Sequence, residues 1–198
     1  MDILLSHAET QIIVKNSRFL AELTPVNSQA EARETLHMYK QKYSDATHVV
    51  HAFVTGSSGE VNGMSDDGEP GGTAGRPVLD VLKGSGITNC ILTVTRWFGG
   101  TLLGTGGLVK AYGDAAKAVI AVSSHEPLVE KKSFVFSADY YDYENIKRAF
   151  VNYHVSSLEE NFDSLVKVSG EIWAEEYISF ADRIKNLTRG KSSVSEKK

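Results

Sequence analysis

Fifteen of the seventeen glycines of this chain fall between positions 56 and 113. Glycine costs backbone entropy and is tolerated where φ must be positive or where something must come close to the main chain. Within that span, Gly99-Gly100-Thr101-Leu102-Leu103-Gly104-Thr105-Gly106-Gly107 leads into a helical pattern from about Leu108. Such a loop opens a helix with unpaired N–H groups at the positive end of the helix dipole, which is the chemistry of anion binding. Tight turns and close helix–sheet packing use the same residues, so composition alone does not separate the two. Gly104 to Val109 departs from G-x-G-x-x-G at its last position, and nothing matches G-x-x-x-x-G-K-[ST]. The glycines therefore name no nucleotide.

Three carboxylates, Asp66, Asp67 and Glu69, stand within four residues. Such a group offers oxygen ligands to Mg²⁺ or a general base, and Asp-Gly and Glu-Pro are also plain turn chemistry. Mg²⁺ at these three residues is the one cofactor the pattern allows. His48 and His51 lie three apart on a strand, hence on opposite faces, and make no chelating pair; no metal ligand set is assigned. His51 is the histidine that can point at the loop. No nucleophile elbow surrounds Ser57 or Ser58, no triad is visible, and no catalytic residue is assigned. Positive charge near the glycines comes from Arg18, Arg76, Arg96 and Lys110. Trp97 takes the opposite face from Arg96 and Phe98, and aromatics in so apolar a strand are expected to be buried, base stacking being the other use.

The elements that must position these groups follow from periodicity. Residues 11–14 and 18–23 read as a hairpin around Lys15-Asn16-Ser17. Ser28 and Glu31 form a capping box for a helix with Ala32, Leu36, Tyr39 and Tyr43 on one face. Residues 47–55 read as a strand, 56–77 as a long loop, 78–83 as a short helix ending before Gly84, and 91–98 as a strand. The helix from about Leu108 buries Leu108, Tyr112, Ala115 and Val119 and exposes Lys110, Asp114 and Lys117. Residues 123–127 read as a linker. A β-α-β-β-α order follows: strand 133–138, helix 143–153, strands 155–162 and 164–173 around Asp163, helix 174–188. An abbreviated last strand near 192–194 completes a ferredoxin-like unit, and residues 195–198 read as a mobile tail. The expected fold class is α+β in two domains, residues 1–124 and 125–198.

The chain of 198 residues is 41% apolar and 23% charged, an ordinary globular balance. No apolar run is long enough for a membrane span or a signal peptide, and one cysteine, Cys90, permits no internal disulfide, so a cytoplasmic protein is expected. Residues 131–198 are neutral and residues 1–130 carry the whole net charge of −4. Neither part is basic, so nucleic-acid binding must rest on a local patch.

Lys15-Asn16-Ser17-Arg18-Phe19, Ala46-Thr47-His48, the run from Ser65 to Pro77 and the run from Arg96 to Gly113 together resemble the IMPACT family, in its bacterial YigZ branch. The match is strong over about residues 12–122 and looser beyond. Gly71 stands where the family commonly has serine. The resemblance implies an N-terminal βαβ fold similar to a ribosomal protein domain, domain IV of elongation factor G and small-molecule kinases, and a C-terminal domain similar to the ferredoxin-like domains of elongation factor G. It implies the theme of translation control, which the eukaryotic relatives exert by blocking activation of a stress kinase. A proline-dipeptidase label carried by some bacterial members finds no ligand set here.

The functional expectation is an RNA- or ribosome-associated binding protein in regulation of translation. Its site residues are Arg18, Arg76, Arg96, Gly99, Gly100, Gly104, Thr105, Gly106, Gly107 and Lys110. One alternative is a phosphate- or nucleotide-binding enzyme using the Gly-rich loop and the acidic cluster. The other is a protein–protein adaptor.

Overall fold

The computed structural model describes residues 1–196. Its chain divides into two compact units, Met1–Leu128 and Val129–Lys198. The first contains strands β1 (Asp2–Leu4), β2 (Ala8–Val14) and β3 (Ser17–Pro25), helix α1 (Gln29–Lys42), strands β4 (His48–Thr55) and β5 (Val61–Ser65), helix α2 (Gly75–Ser85), strands β6 (Ile87–Thr88) and β7 (Cys90–Trp97), helix α3 (Gly104–Val122) and strand β8 (His125–Pro127).

Five strands form an antiparallel sheet in the order β2-β3-β7-β4-β5. β7 is almost wholly buried and half β-branched, as suits a central strand. β3, α1 and β4 make a βαβ unit whose two strands are split by β7. Alternation along the strands feeds two cores. Phe19, Ala21, Leu23, Val50, Ala52, Leu92 and Val94 pack with Val78 and Leu82 of α2 and with Leu108, Tyr112, Ala115 and Val119 of α3. Phe53 and Ile91 of the opposite face pack with Ala32 and Leu36 of α1. Ser28 Oγ accepts from the Glu31 N–H at 3.2 Å and starts α1. Glu31 reaches back to the Asn27 N–H at 2.7 Å, one residue earlier than the standard box. Burial pushes the Cys90 thiol up to about 12, so it packs as an inert apolar group.

The structure differs from the sequence expectations at several boundaries. The expected loop 56–77 contains β5, an edge strand paired with β4. α2 runs on past Gly84 to Gly86, whose φ of 76° ends it. α3 starts at Gly104, so Gly104, Gly106 and Gly107 belong to its first turns and not to a preceding loop. The expected linker 123–127 contains β8, which pairs with β1 in a small sheet of order β6-β1-β8 and so belongs to the first unit. The division accordingly falls at 128/129, not at 124/125.

The second unit contains β9 (Lys131–Ala138), α4 (Tyr140–Ala149), β10 (Val155–Phe162), β11 (Val166–Trp173), α5 (Tyr177–Leu187) and β12 (Ser195–Glu196). Its strand order β10-β11-β9-β12, all neighbours antiparallel, is the ferredoxin-like arrangement. Phe134, Phe136, Val166, Val168 and Ile172 of the sheet enclose a core with Ile146, Phe180 and Ile184 of the helices. The last strand is residues 195–196, not 192–194. Half of the expected mobile tail is thus paired with β9, and residues 197–198 lie outside the described residues. The molecule is an α+β protein of two units, and among the described residues no helix is long and apolar enough to cross a membrane.

Candidate binding pocket

The pocket is built where β7 ends. Cross-strand register sets Phe19, Arg96 and His48 in one row, with Arg96 in the middle. Arg96 is 5% exposed and Glu69 8%. Arg96 Nη1 donates to Glu69 Oε1 at 2.5 Å, and the Tyr112 hydroxyl donates to the same oxygen at 2.7 Å. Burial first, and Glu69 second, push the Tyr112 phenol far above its ordinary value, so it stays protonated and donates to Glu69. Phe19 packs edge-on against Tyr112, with ring centroids 5.2 Å apart. His48 Nδ1 donates to the Asp67 carbonyl at 2.7 Å, which turns Nε2 toward Glu69 Oε1, 3.9 Å away.

The hairpin turn locks the other side. Lys15 and Asn16 both have positive φ, 44° and 66°, the pattern of a tight two-residue turn whose twist matches its strands. Buried Ser17 then accepts at Oγ from the Gly99 N–H (3.1 Å) and from Arg96 Nη2 (3.4 Å). Gly99 lies so close to this turn that a Cβ there would sit 2.0 Å from the Asn16 carbonyl carbon. Beyond it the chain passes Leu102 and Leu103 and enters α3 through Gly104, whose φ of 74° excludes most side chains. No side chain caps α3. The N–H groups of its first turn lack intrahelical acceptors and point outward at the positive end of a 19-residue helix.

These parts enclose a cavity of about 410 Å³. It is lined by Thr47 and His48, by Glu69 and Pro70, by Arg96 and Phe98, and by Leu102 to Thr105 with Leu108. The acidic loop and the Gly-rich segment therefore meet at one place. Four residues singled out from sequence line it: Glu69, Arg96, Gly104 and Thr105.

The others lie elsewhere or do other work. Arg96 is not a free cation for phosphate, because Glu69 neutralises it. Arg76 is exposed and pairs with Asp80 at 2.8 Å; Lys110 is exposed and pairs with Asp114 at 2.7 Å, both one helical turn away. Arg18 stacks on Trp97, its guanidinium carbon 3.6 Å from the ring centroid. Gly100 has φ 84° and no neighbour for a Cβ; Gly106 also faces open space, and Gly107 meets only Leu103.

Nor do Asp66, Asp67 and Glu69 form one cation site. Asp66 sits at the start of α2, where Oδ1 accepts from the Ala74 and Gly75 N–H groups (3.0 and 2.8 Å) and Oδ2 from Gly72 (2.8 Å). Partial burial opposes its charge, yet these three donors hold its carboxyl below the usual carboxylate range. Asp67 accepts from the Val49 N–H at 2.7 Å and from Lys40. Internal donors thus hold all three carboxylates, so the Mg²⁺ reading and the general-base reading lose their ligands.

The histidine at the pocket is His48, not His51. Alternation places the two on opposite faces, and α3 packs on the face of His48. Phe98 is also not buried: β7 ends at Trp97, leaving Phe98 46% exposed at the pocket mouth. Trp97 is covered by Arg18, meets the edge of Tyr43 at 5.6 Å and donates from Nε1 to Asp45 at 2.8 Å. Thr47, Pro70, Leu102, Leu103 and Leu108 also line the pocket and were not singled out as its residues. The sequence pointed to Thr47 only through the short Ala46-Thr47-His48 motif, and to His48 through that motif and its spacing from His51.

Fold and site define a two-unit α+β protein with an apolar-walled pocket at the head of a glycine-rich helix, built on a salt-bridged Arg–Glu floor. Residues 15–120 match the model of the Impact N-terminal domain. IMPACT family member YvyE of Bacillus subtilis (strain 168) is 35% identical over 95% of this chain and 87% of its own length. IMPACT family member YigZ of Escherichia coli (strain K12) is 29% identical, covering 89% and 88%. A crystal structure described as that of a hypothetical protein superimposes with a TM-score of 0.64 at 27% identity, covering 100% of this chain and 97% of that one. The chain belongs to the IMPACT family.

Proposed function

We propose that this protein is an RNA- or ribosome-associated binding protein in the regulation of translation, and that the pocket at the head of α3 is its contact site. One observation carries the reading: an uncapped helix N-terminus opens into the same cavity as the exposed ring of Phe98. A phosphate at the first-turn N–H groups and a base against Phe98 are the two halves of a single-stranded nucleotide. Membership of the IMPACT family supports the link to translation.

The deciding experiment is crosslinking and sequencing of RNA bound in cells, together with co-sedimentation on ribosomes, for the wild type and for Phe98→Ala. Enriched RNA or ribosome association, weakened by Phe98→Ala, is the expected result. A wild type that neither crosslinks to RNA nor travels with ribosomes refutes the reading. A protein-adaptor role is the second reading, and Leu102 favours it: 82% exposed beside Phe98, it gives the pocket rim an apolar character suited to a partner's side chain. Partner capture that persists after nuclease treatment and is lost in Leu102→Asp would support it.

A further inference from the structure

We propose that His7, Glu9 and Glu22 bind a divalent first-row transition-metal ion at the β2–β3 edge of the first unit, away from the pocket. Antiparallel register places Glu9 directly opposite Glu22. His7, just ahead of β2, brings Nε2 to 3.5 Å from Glu9 Oε2. One ligand atom from each of the three lies within 4.8 Å of the other two.

Two like charges directly opposed across a ladder are destabilising, and a buried carboxylate is costly unless it is compensated. Glu22 is completely buried. Its Oε1 accepts from the Tyr43 hydroxyl at 3.0 Å and from Lys42 at 3.3 Å, but its Oε2 has no partner. A divalent cation shared with Glu9 supplies a partner for this oxygen and offsets the second carboxylate.

The histidine is set for the same task. Its Nδ1 lies 3.1 Å from Thr24 Oγ1, which lies 2.7 Å from the Tyr39 hydroxyl. With Nδ1 donating into this chain, Nε2 carries the lone pair, 3.5 Å from Glu9 Oε2. A metal-ligating imidazole is commonly held in this way by a hydrogen bond from its other nitrogen. One imidazole nitrogen with two carboxylates suits Zn²⁺ or Mn²⁺ better than Ca²⁺ or Mg²⁺. Bonds of roughly 2.0–2.2 Å require the ligand atoms to close to about 3–3.5 Å of one another, and exposed His7 and Glu9 can turn toward fixed Glu22. The ion would clamp β2 to β3, the two arms of the hairpin.

The test uses tag-free full-length protein, stripped with chelator and titrated with Zn²⁺ by calorimetry, with Mn²⁺ as a second arm. Saturable one-to-one binding and a rise in the thermal midpoint are expected. His7→Ala and Glu9→Gln alter exposed residues and should fold, so each should weaken binding by at least about 10-fold. Thr24→Val, which removes the hydroxyl that links His7 to Tyr39 and leaves all three ligands in place, should weaken it by about 10-fold. His125→Ala, at another exposed histidine, should leave affinity unchanged. Absence of saturable binding in the wild type overturns the proposal. So does equal affinity in His7→Ala and Glu9→Gln, which would place the ion elsewhere.

Discussion

Arg96 and Glu69 form a buried ion pair at 2.5 Å, and the Tyr112 hydroxyl donates to the same carboxylate oxygen. The pair is the floor of the pocket. Burying two charges costs about as much as their attraction returns, so the pair specifies geometry more than it adds stability. Its consequence for function is subtractive: the residue best placed to meet a phosphate has its charge already compensated.

Glu69→Gln should therefore destabilise the first unit by about 3–5 kcal/mol, because it leaves the Arg96 guanidinium buried without its counter-charge. Arg76→Ala and Lys110→Ala, which break exposed pairs, should each shift stability by about 0.5 kcal/mol or less. Urea unfolding followed by Trp97 fluorescence in a Trp173→Phe background checks the contrast. Equal effects at all three positions would contradict it.

Two glycines of one motif should behave oppositely. Gly99→Ala drives a methyl into the Asn16 backbone and should lower the thermal midpoint sharply or prevent folding. Gly106→Val places its side chain in open space, at a helical position where valine is no worse than glycine, and should fold with little change in stability. The β-branched side chain then obstructs approach to the first-turn N–H groups of α3, so RNA retention should fall while the midpoint holds. Unchanged retention in folded Gly106→Val counts against the pocket as the contact site.

Acid should destabilise the first unit through His51. Burial first, then the charge of Lys40, lowers this imidazole to about 4, and Asp67 only partly opposes the shift. The folded protein keeps His51 neutral while the unfolded chain takes up a proton near pH 6.5. Between pH 6.5 and about 4 the unfolded state binds more protons, so stability rises with pH across that window. Lowering the pH from 7 to 4 should remove about 3 kcal/mol through this group. His51→Leu should flatten that part of the curve in denaturant titrations at several pH values. An identical slope in wild type and mutant would exclude His51 as its origin.

RNA affinity should depend weakly on salt. Arg18, Arg76 and Lys110 remain exposed, whereas Arg96 is compensated. Three phosphate contacts give a log–log slope of about −2 for a single strand, and existing pairing with Asp80 and Asp114 makes it shallower still. A slope near −8 in a filter-binding series would require a basic surface that the first unit does not have.

What the sequence by itself determined is local in origin. Period-2 and period-3.6 patterns, the Ser28 cap and glycine punctuation specify most strands and helices, the two-part α+β organisation and the buried face of α3, because each depends on neighbours a few residues away. The concentration of glycines also located the segment that forms the pocket. Only the tertiary structure decided which charges are free. Asp66, Asp67 and Glu69 read together as one acidic cluster, yet one caps α2, one ties β4 to α1, and one is buried against Arg96, 27 residues along the chain. Local spacing carries no information about such partners, because strand register and helix packing bring them together. The same reason applies to His48 and His51: alternation separates their faces, but the packing of α3 decides which face holds the pocket. The apposition of His7, Glu9 and Glu22 likewise exists only once β2 and β3 pair in their observed register.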